Sequence, residues 1–144
     1  MRRFAPRSKT PPMKKIADSG LLIAALDGAD EHHAWARQAF EEHLPPWLVC
    51  EAVLAEVSAS IGTPLPVLEM LLAGDLEMAF QIEKHAPEIL ALTRKYRDQK
   101  MDLADACIVR MTELFDATVF TVDKTDFSVY RRNSRQKIPC VFPE

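Results

Sequence analysis

Histidine and cysteine are both scarce in this 144-residue chain: four histidines, and three cysteines standing apart at positions 50, 107 and 140. No CxxC pair occurs, and no cysteine lies near a histidine at zinc-finger spacing, which excludes the common structural zinc sites. Three isolated cysteines make no disulfide framework and read as reduced core thiols of a cytoplasmic protein. Also missing are the GxxxxGK[ST] loop and the GxGxxG fingerprint of nucleotide binding. No GxSxG nucleophile elbow is present either. No apolar run is long enough to span a membrane. The opening MRRFAPRSKTPP is basic and carries three prolines, without the apolar segment or small-residue cleavage site of a signal peptide. A net charge of −3 excludes a protein that coats nucleic acid by bulk electrostatics, though not an enzyme whose acidic centre is neutralised by metal.

What remains is an ordinary globular composition, 48% hydrophobic and 27% charged, enough for one domain with its own core. Residues 1–12 are expected to be a disordered leader, or to precede a true start at Met13. Residues 13–144 are expected to form a single domain, with no internal repeat or low-complexity block.

The chain is organised around Lys14–Leu26, KKIADSGLLIAAL. A short strand climbs into Asp18, Ser19 and Gly20 turn the chain, and an apolar helix follows. Asp18 either caps that helix or stands at the carboxyl edge of a parallel sheet, where ligands bind in such folds. A helix capped by Asp30 follows, with an apolar stripe that includes Ala34, Trp35 and Phe40. His32 and His33 open it and read as surface residues, since no histidine follows four positions on.

The pattern then recurs. Trp47–Cys50 is a short apolar run of the kind that fills a buried parallel strand, and it leads into Glu51 and the helical AVLAEVSASIG. LPVLEMLLAG reads as another short helix. Leu76–Ile82 alternates as a strand, and Pro87 opens a helix EILALTRKYRDQ whose Arg94, Lys95, Arg97 and Lys100 read as a solvated face. Met101–Phe115 is the strongest amphipathic helix, with Asp102 and Asp105 on one face at its amino end. Asp102 is equally readable as that helix's N-cap. Ala117–Val122 is a β-branched strand ending in Asp123, followed by a turn or short helix from Lys124 to Phe127. The basic tail holds Arg131, Arg132, Arg135 and Lys137, and IPCVF reads as a last edge strand. Strands alternating with helices throughout imply an α/β domain with a parallel sheet.

Asp18, Glu51 and Asp123 each follow a strand, and Asp105 opens the helix before the last of them. All four are thus expected at one sheet edge. Carboxylates crowded there repel one another unless a cation compensates. With imidazole and thiolate ligands missing, an oxygen-only site favours Mg²⁺ or Mn²⁺. Such a cation can activate water and stabilise an in-line displacement at phosphorus.

Four stretches carry a family resemblance: ADSGLLIAALDGADEHHAWA, CEAVLAE (Cys50–Glu56), DLADACIV (Asp102–Val109) and TVDKTDF (Thr121–Phe127). Together they resemble PIN-domain ribonucleases, above all the VapC-type toxins of toxin–antitoxin pairs, over about Lys14 to Phe142. The resemblance implies a three-layer α/β/α sandwich with the first strand central. It also implies a divalent-metal-dependent endoribonuclease. In it Asp18, Glu51, Asp105 and Asp123 match the acidic quartet, and Ser19 and Thr121 the supporting hydroxyls. Asp102 and Asp126 match positions that are often acidic. Cys50 stands where relatives often carry Thr or Pro. On this reading Asp18, Asp105 and Asp123 hold one Mg²⁺ or Mn²⁺, with Glu51 completing the site or binding a second ion. Arg131, Arg132 and Lys124 either hold the RNA backbone or form a solvated tail. A homodimer and silencing by a small antitoxin are implied as well. The alternatives are a PIN nuclease of RNA processing without an antitoxin, and a catalytically silent PIN-fold binding module. A phosphoacceptor α/β protein is a third, disfavoured because Asp18-Ser19-Gly20 is not the DxD a dehalogenase-like phosphatase needs.

Overall fold

The computed structural model describes residues 13–144, so the expected leader lies outside the described residues. In chain order the elements are β1 (Lys15–Ala17), α1 (Ser19–Leu26), α2 (His33–Glu42), β2 (Trp47–Val49), α3 (Glu51–Ile61), α4 (Leu65–Leu72) and β3 (Leu76–Met78). They continue with α5 (Ala86–Lys95), α6 (Leu103–Phe115), β4 (Thr118–Phe120), α7 (Lys124–Val129), β5 (Arg131–Arg132), β6 (Gln136–Lys137) and β7 (Cys140–Val141). Single 3₁₀ turns at Ile82–His85 and Arg97–Gln99 flank α5.

Five strands form one parallel sheet in the order β3-β2-β1-β4-β7, with helices on both faces. β1 is the central strand, paired on both sides. All three residues are buried, and Ile16 pairs with Leu48 on one side and Val119 on the other. Lys15 sits in this strand with its Nζ donating to the carbonyls of Leu44 and Pro46, so the one cation of the strand is satisfied by backbone oxygens. Burial lowers its pKa. Trp47, Phe120 and Phe40 pack as tilted or edge-on rings in the core beside it.

The edges are shorter than the sequence pattern suggests. The strand expected over Leu76–Ile82 covers only Leu76–Met78: Glu77 and Met78 are exposed, the chain leaves the sheet after Met78 although Phe80 is buried again, and a 3₁₀ turn follows at Ile82–His85. The expected helix through Gln99 ends at Lys95, where Tyr96 turns inward to the core. The basic tail folds back as the antiparallel hairpin β5–β6 before β7 joins the sheet. Among the described residues, no helix is long and apolar enough to cross a membrane.

Candidate metal centre

Strand register builds the floor of the site. Ala17 pairs with Phe120, so the residues after them, Asp18 and Thr121, emerge side by side at the carboxyl edge of the two central strands. Asp18 donates its backbone N–H to the Phe120 carbonyl at 3.1 Å. Its carboxylate accepts from Thr121 Oγ1 at 2.6 Å and from the Ser19 amide at 2.7 Å. It is therefore both the N-cap of α1 and a buried wall of the cluster; the two readings of this residue describe one geometry. Thr121 Oγ1 also accepts from the Asp123 amide at 3.0 Å, so one buried hydroxyl ties two of the acids together. The chains run this close because position 20 is glycine: a Cβ there would stand 2.4 Å from Cγ2 of Val122.

The other acids arrive on helix starts. Asp102 caps α6, accepting from the Asp105 amide at 2.8 Å. Asp123 caps α7, accepting from the Asp126 amide at 3.0 Å. In consequence Asp105, Asp123 and Asp126 offer carboxylate oxygens all within 4.8 Å of one another. Asp105 Oδ2 in addition accepts from the Tyr130 hydroxyl at 2.9 Å.

Burial pushes Asp18 up from the ordinary carboxylate value; its Thr121 and Ser19 hydrogen bonds oppose this, and the charges of Asp123 and Asp102 add to it. Asp105 is pushed up to about 7, first by burial, with Asp102, Asp18 and Asp123 adding to it and the Tyr130 bond opposing. Asp126 is raised by burial and by Asp123. The Tyr130 phenol is held above its usual value by burial and by Asp105, so it stays a donor.

Glu51 does not join this group. It is the exposed first residue of α3. Glu56, five residues on and also exposed, is the one whose side chain bonds Ser19 and feels Asp102 and Asp18; partial burial and those two charges raise its pKa. Five residues turn a helix by about 140°, so the two glutamates cannot face the same way. The buried residues of α3 are Val53 and Val57. Glu56 lies about 60° and 100° from them around the axis, whereas Glu51 lies about 160° and 120° away. That periodicity was the available signal, and the strand-end pattern pointed past it. Tyr130 carried no comparable sequence signal.

Among the described residues, none of the six carboxylates Asp18, Glu56, Asp102, Asp105, Asp123 and Asp126 forms an ion pair with Lys, Arg or His. Arg131 spends its Nη1 on the carbonyls of Ser128, Val129 and Tyr130. Arg132 pairs with Asp116 at 2.8 Å and reaches the Thr112 carbonyl. Both arginines therefore clasp the protein, while Lys124 stays exposed beside Asp123. His33 Nδ1 meets the Ala24 carbonyl at 2.7 Å, and His32 packs on Trp35. An all-oxygen donor set without a protein counter-cation fits a hard divalent metal.

The PIN domain family model matches residues 15–133. Ribonuclease VapC26 of Mycobacterium tuberculosis (strain ATCC 25618 / H37Rv) is 28% identical over 123 residues, covering 81% of this chain and 91% of that protein. A solved toxin–antitoxin complex from Klebsiella pneumoniae contains a chain of the same fold, with a TM-score of 0.58 at 21% identity. That match covers 80% of this chain and 91% of the other. A parallel sheet whose central strand delivers Asp18, with further acids on the starts of α6 and α7, is thus framed by a family match across most of its length, and the chain belongs to the PIN domain family.

Proposed function

We propose that this protein is a divalent-metal-dependent endoribonuclease that hydrolyses RNA phosphodiester bonds, acting as the toxin of a toxin–antitoxin pair. The observation that carries this reading is the convergence of Asp18, Asp105, Asp123 and Asp126 on one edge, where among the described residues no Lys, Arg or His pairs with them. The names of the relatives, a ribonuclease and a toxin–antitoxin complex, support the substrate class and a small antitoxin partner.

Asp105, Asp123 and Asp126 would hold Mg²⁺ or Mn²⁺ together with Asp18, while Glu56 would take the quartet position that the resemblance assigns to Glu51. Such an ion supplies charge neutralisation at the scissile phosphate and a more acidic water. The protein's own contribution is orientation. Thr121 and Ser19 fix the Asp18 carboxylate, and the N-cap bonds of Asp102 and Asp123 fix the helix starts that carry Asp105 and Asp126. Partners of this kind set ligand direction, and their loss weakens metal binding. Lys124 is the cation placed to meet an RNA phosphate, a contact that positions the strand without reading its sequence.

The test is cleavage of mixed tRNA and rRNA by the purified, antitoxin-free protein with Mg²⁺ or Mn²⁺, with EDTA, and with the Asp105→Asn variant. Discrete fragments that require metal and vanish in the variant are expected. Equal cleavage by wild type and variant, or cleavage that persists in EDTA, would overturn the assignment.

A further inference from the structure

Asp105 comes from α6, whereas Asp123 and Asp126 come from α7 and its cap. Side chains from two separate helices need something to hold them at ligand spacing, and one residue spans the gap. Tyr130 follows directly on α7, and its amide donates to the Asp126 carbonyl at 3.0 Å. Its hydroxyl reaches across to Asp105 Oδ2 at 2.9 Å. The ring between these two ends is fully buried. Tyr96 packs on it with centroids 5.0 Å apart and Phe127 at 5.2 Å, both edge-on. The Tyr96 hydroxyl plays no part in these ring contacts; it points away to accept from the Arg131 amide at 2.9 Å. A phenol caged in this way has one direction in which to donate. Among the described residues no other side chain bonds the Asp105 carboxylate, so Tyr130 alone decides which of its oxygens is spoken for.

We propose that Tyr130 is a positioning residue of the metal centre: it fixes the Asp105 carboxylate and locks α6 to α7, so that Asp105, Asp123 and Asp126 stand at ligand distance before any cation arrives. This rests on the metal-centre reading above. Tyr130 touches neither the cation nor the substrate; it acts through Asp105. An outer partner of a ligand typically contributes ten- to hundredfold in metal affinity, and a carboxylate free to rotate loses that preorganisation.

The experiment is Mn²⁺ titration of the metal-free protein, following the loss of the free-ion EPR signal, for wild type, Tyr130→Phe, Tyr96→Phe and Asp105→Asn. Tyr130→Phe keeps the caged ring and removes only the hydroxyl, so it is expected to bind Mn²⁺ at least about tenfold more weakly. Tyr96→Phe removes a hydroxyl that bonds Arg131 and not Asp105, and its affinity is expected to match wild type. If wild type and Tyr130→Phe bind equally, the positioning role is overturned and the metal centre stands. If wild type does not bind Mn²⁺ at all, both fall.

A second measurement needs no Tyr130 variant. The chain has two tyrosines, so in Tyr96→Phe the only Cζ resonance of ¹³C-labelled tyrosine belongs to Tyr130. Addition of Mg²⁺ is expected to shift it, because the acceptor of its hydrogen bond changes charge environment. An unmoved resonance at saturating Mg²⁺ would count against the proposal.

Discussion

Replacing Asp105 by Asn should make the metal-free protein more stable, and increasingly so as pH rises. An ordinary aspartate titrates near 3.8, whereas burial and neighbouring carboxylates carry Asp105 to about 7. Below pH 4 the group is protonated in both the folded and unfolded chain and contributes nothing. Between about 4 and 7 the folded state holds the proton that the unfolded state has released, so stability falls with pH. Above 7 the full penalty is present. A displacement of that size corresponds to at most about 4 kcal/mol. Asp105 is only half-buried, and solvent screening reduces this to about 2 kcal/mol. Somewhat more than half of it develops between pH 5 and pH 8. Urea unfolding of metal-free wild type and Asp105→Asn at those two pH values should therefore show the variant gaining about 1 kcal/mol on wild type. Saturating Mg²⁺ should reverse the order at pH 8, because only wild type retains the ligand. A wild-type–variant difference that is the same at both pH values would refute the argument.

Thr121→Val keeps the shape of a fully buried side chain but removes the donor to Asp18 and the acceptor for the Asp123 amide. A loss of about 2 kcal/mol is expected, a fall of roughly 6–8 °C in the calorimetric midpoint; a shift under about 2 °C would mean these bonds contribute little. Glu56→Gln should weaken Mn²⁺ binding about tenfold while Glu51→Gln leaves it unchanged. The opposite ranking in a calorimetric titration would sink the helix-face assignment. Gly20→Ala places a methyl group 2.4 Å from Val122 Cγ2, and the displacement it forces is expected to cost about 1–3 kcal/mol. Because Val122 adjoins Asp123, Mn²⁺ affinity should fall too, and a variant equal to wild type in both respects would show that the close approach is not needed.

Much of the architecture was legible because its signals are local. The apolar triplet Trp47–Val49 and the β-branched run ending at Val122 mark buried parallel strands without any knowledge of partners, and the short run through Ile16 is legible from the aspartate, turn and apolar helix that follow it. The carboxylates that follow two of them, Asp18 and Asp123, are fixed to the sheet edge by chain connectivity alone. Asp102 and Asp105 follow from helix spacing. What failed was the extension of the same rule to Glu51. The residue after a strand is also the first of a helix, and which residue of that helix turns inward depends on the face that α3 buries. Glu56 lies nearer than Glu51 to the face of Val53 and Val57, and although exposed as well it is the one that bonds Ser19. Strand ends were likewise overextended where, as at Met78, the chain leaves the sheet at an exposed edge.

The sequence by itself determined the alternation of elements, the carboxyl-edge placement of Asp18 and Asp123, and the oxygen-only chemistry of the site. Only the tertiary structure decided that Asp126 stands within ligand distance of Asp105 and Asp123, that Arg131 and Arg132 clasp the protein, and that Tyr130 reaches Asp105. The reason is separation along the chain. Residues 105 and 130 are brought together by the packing of two helices and a hairpin, and no local periodicity encodes a contact across 25 positions.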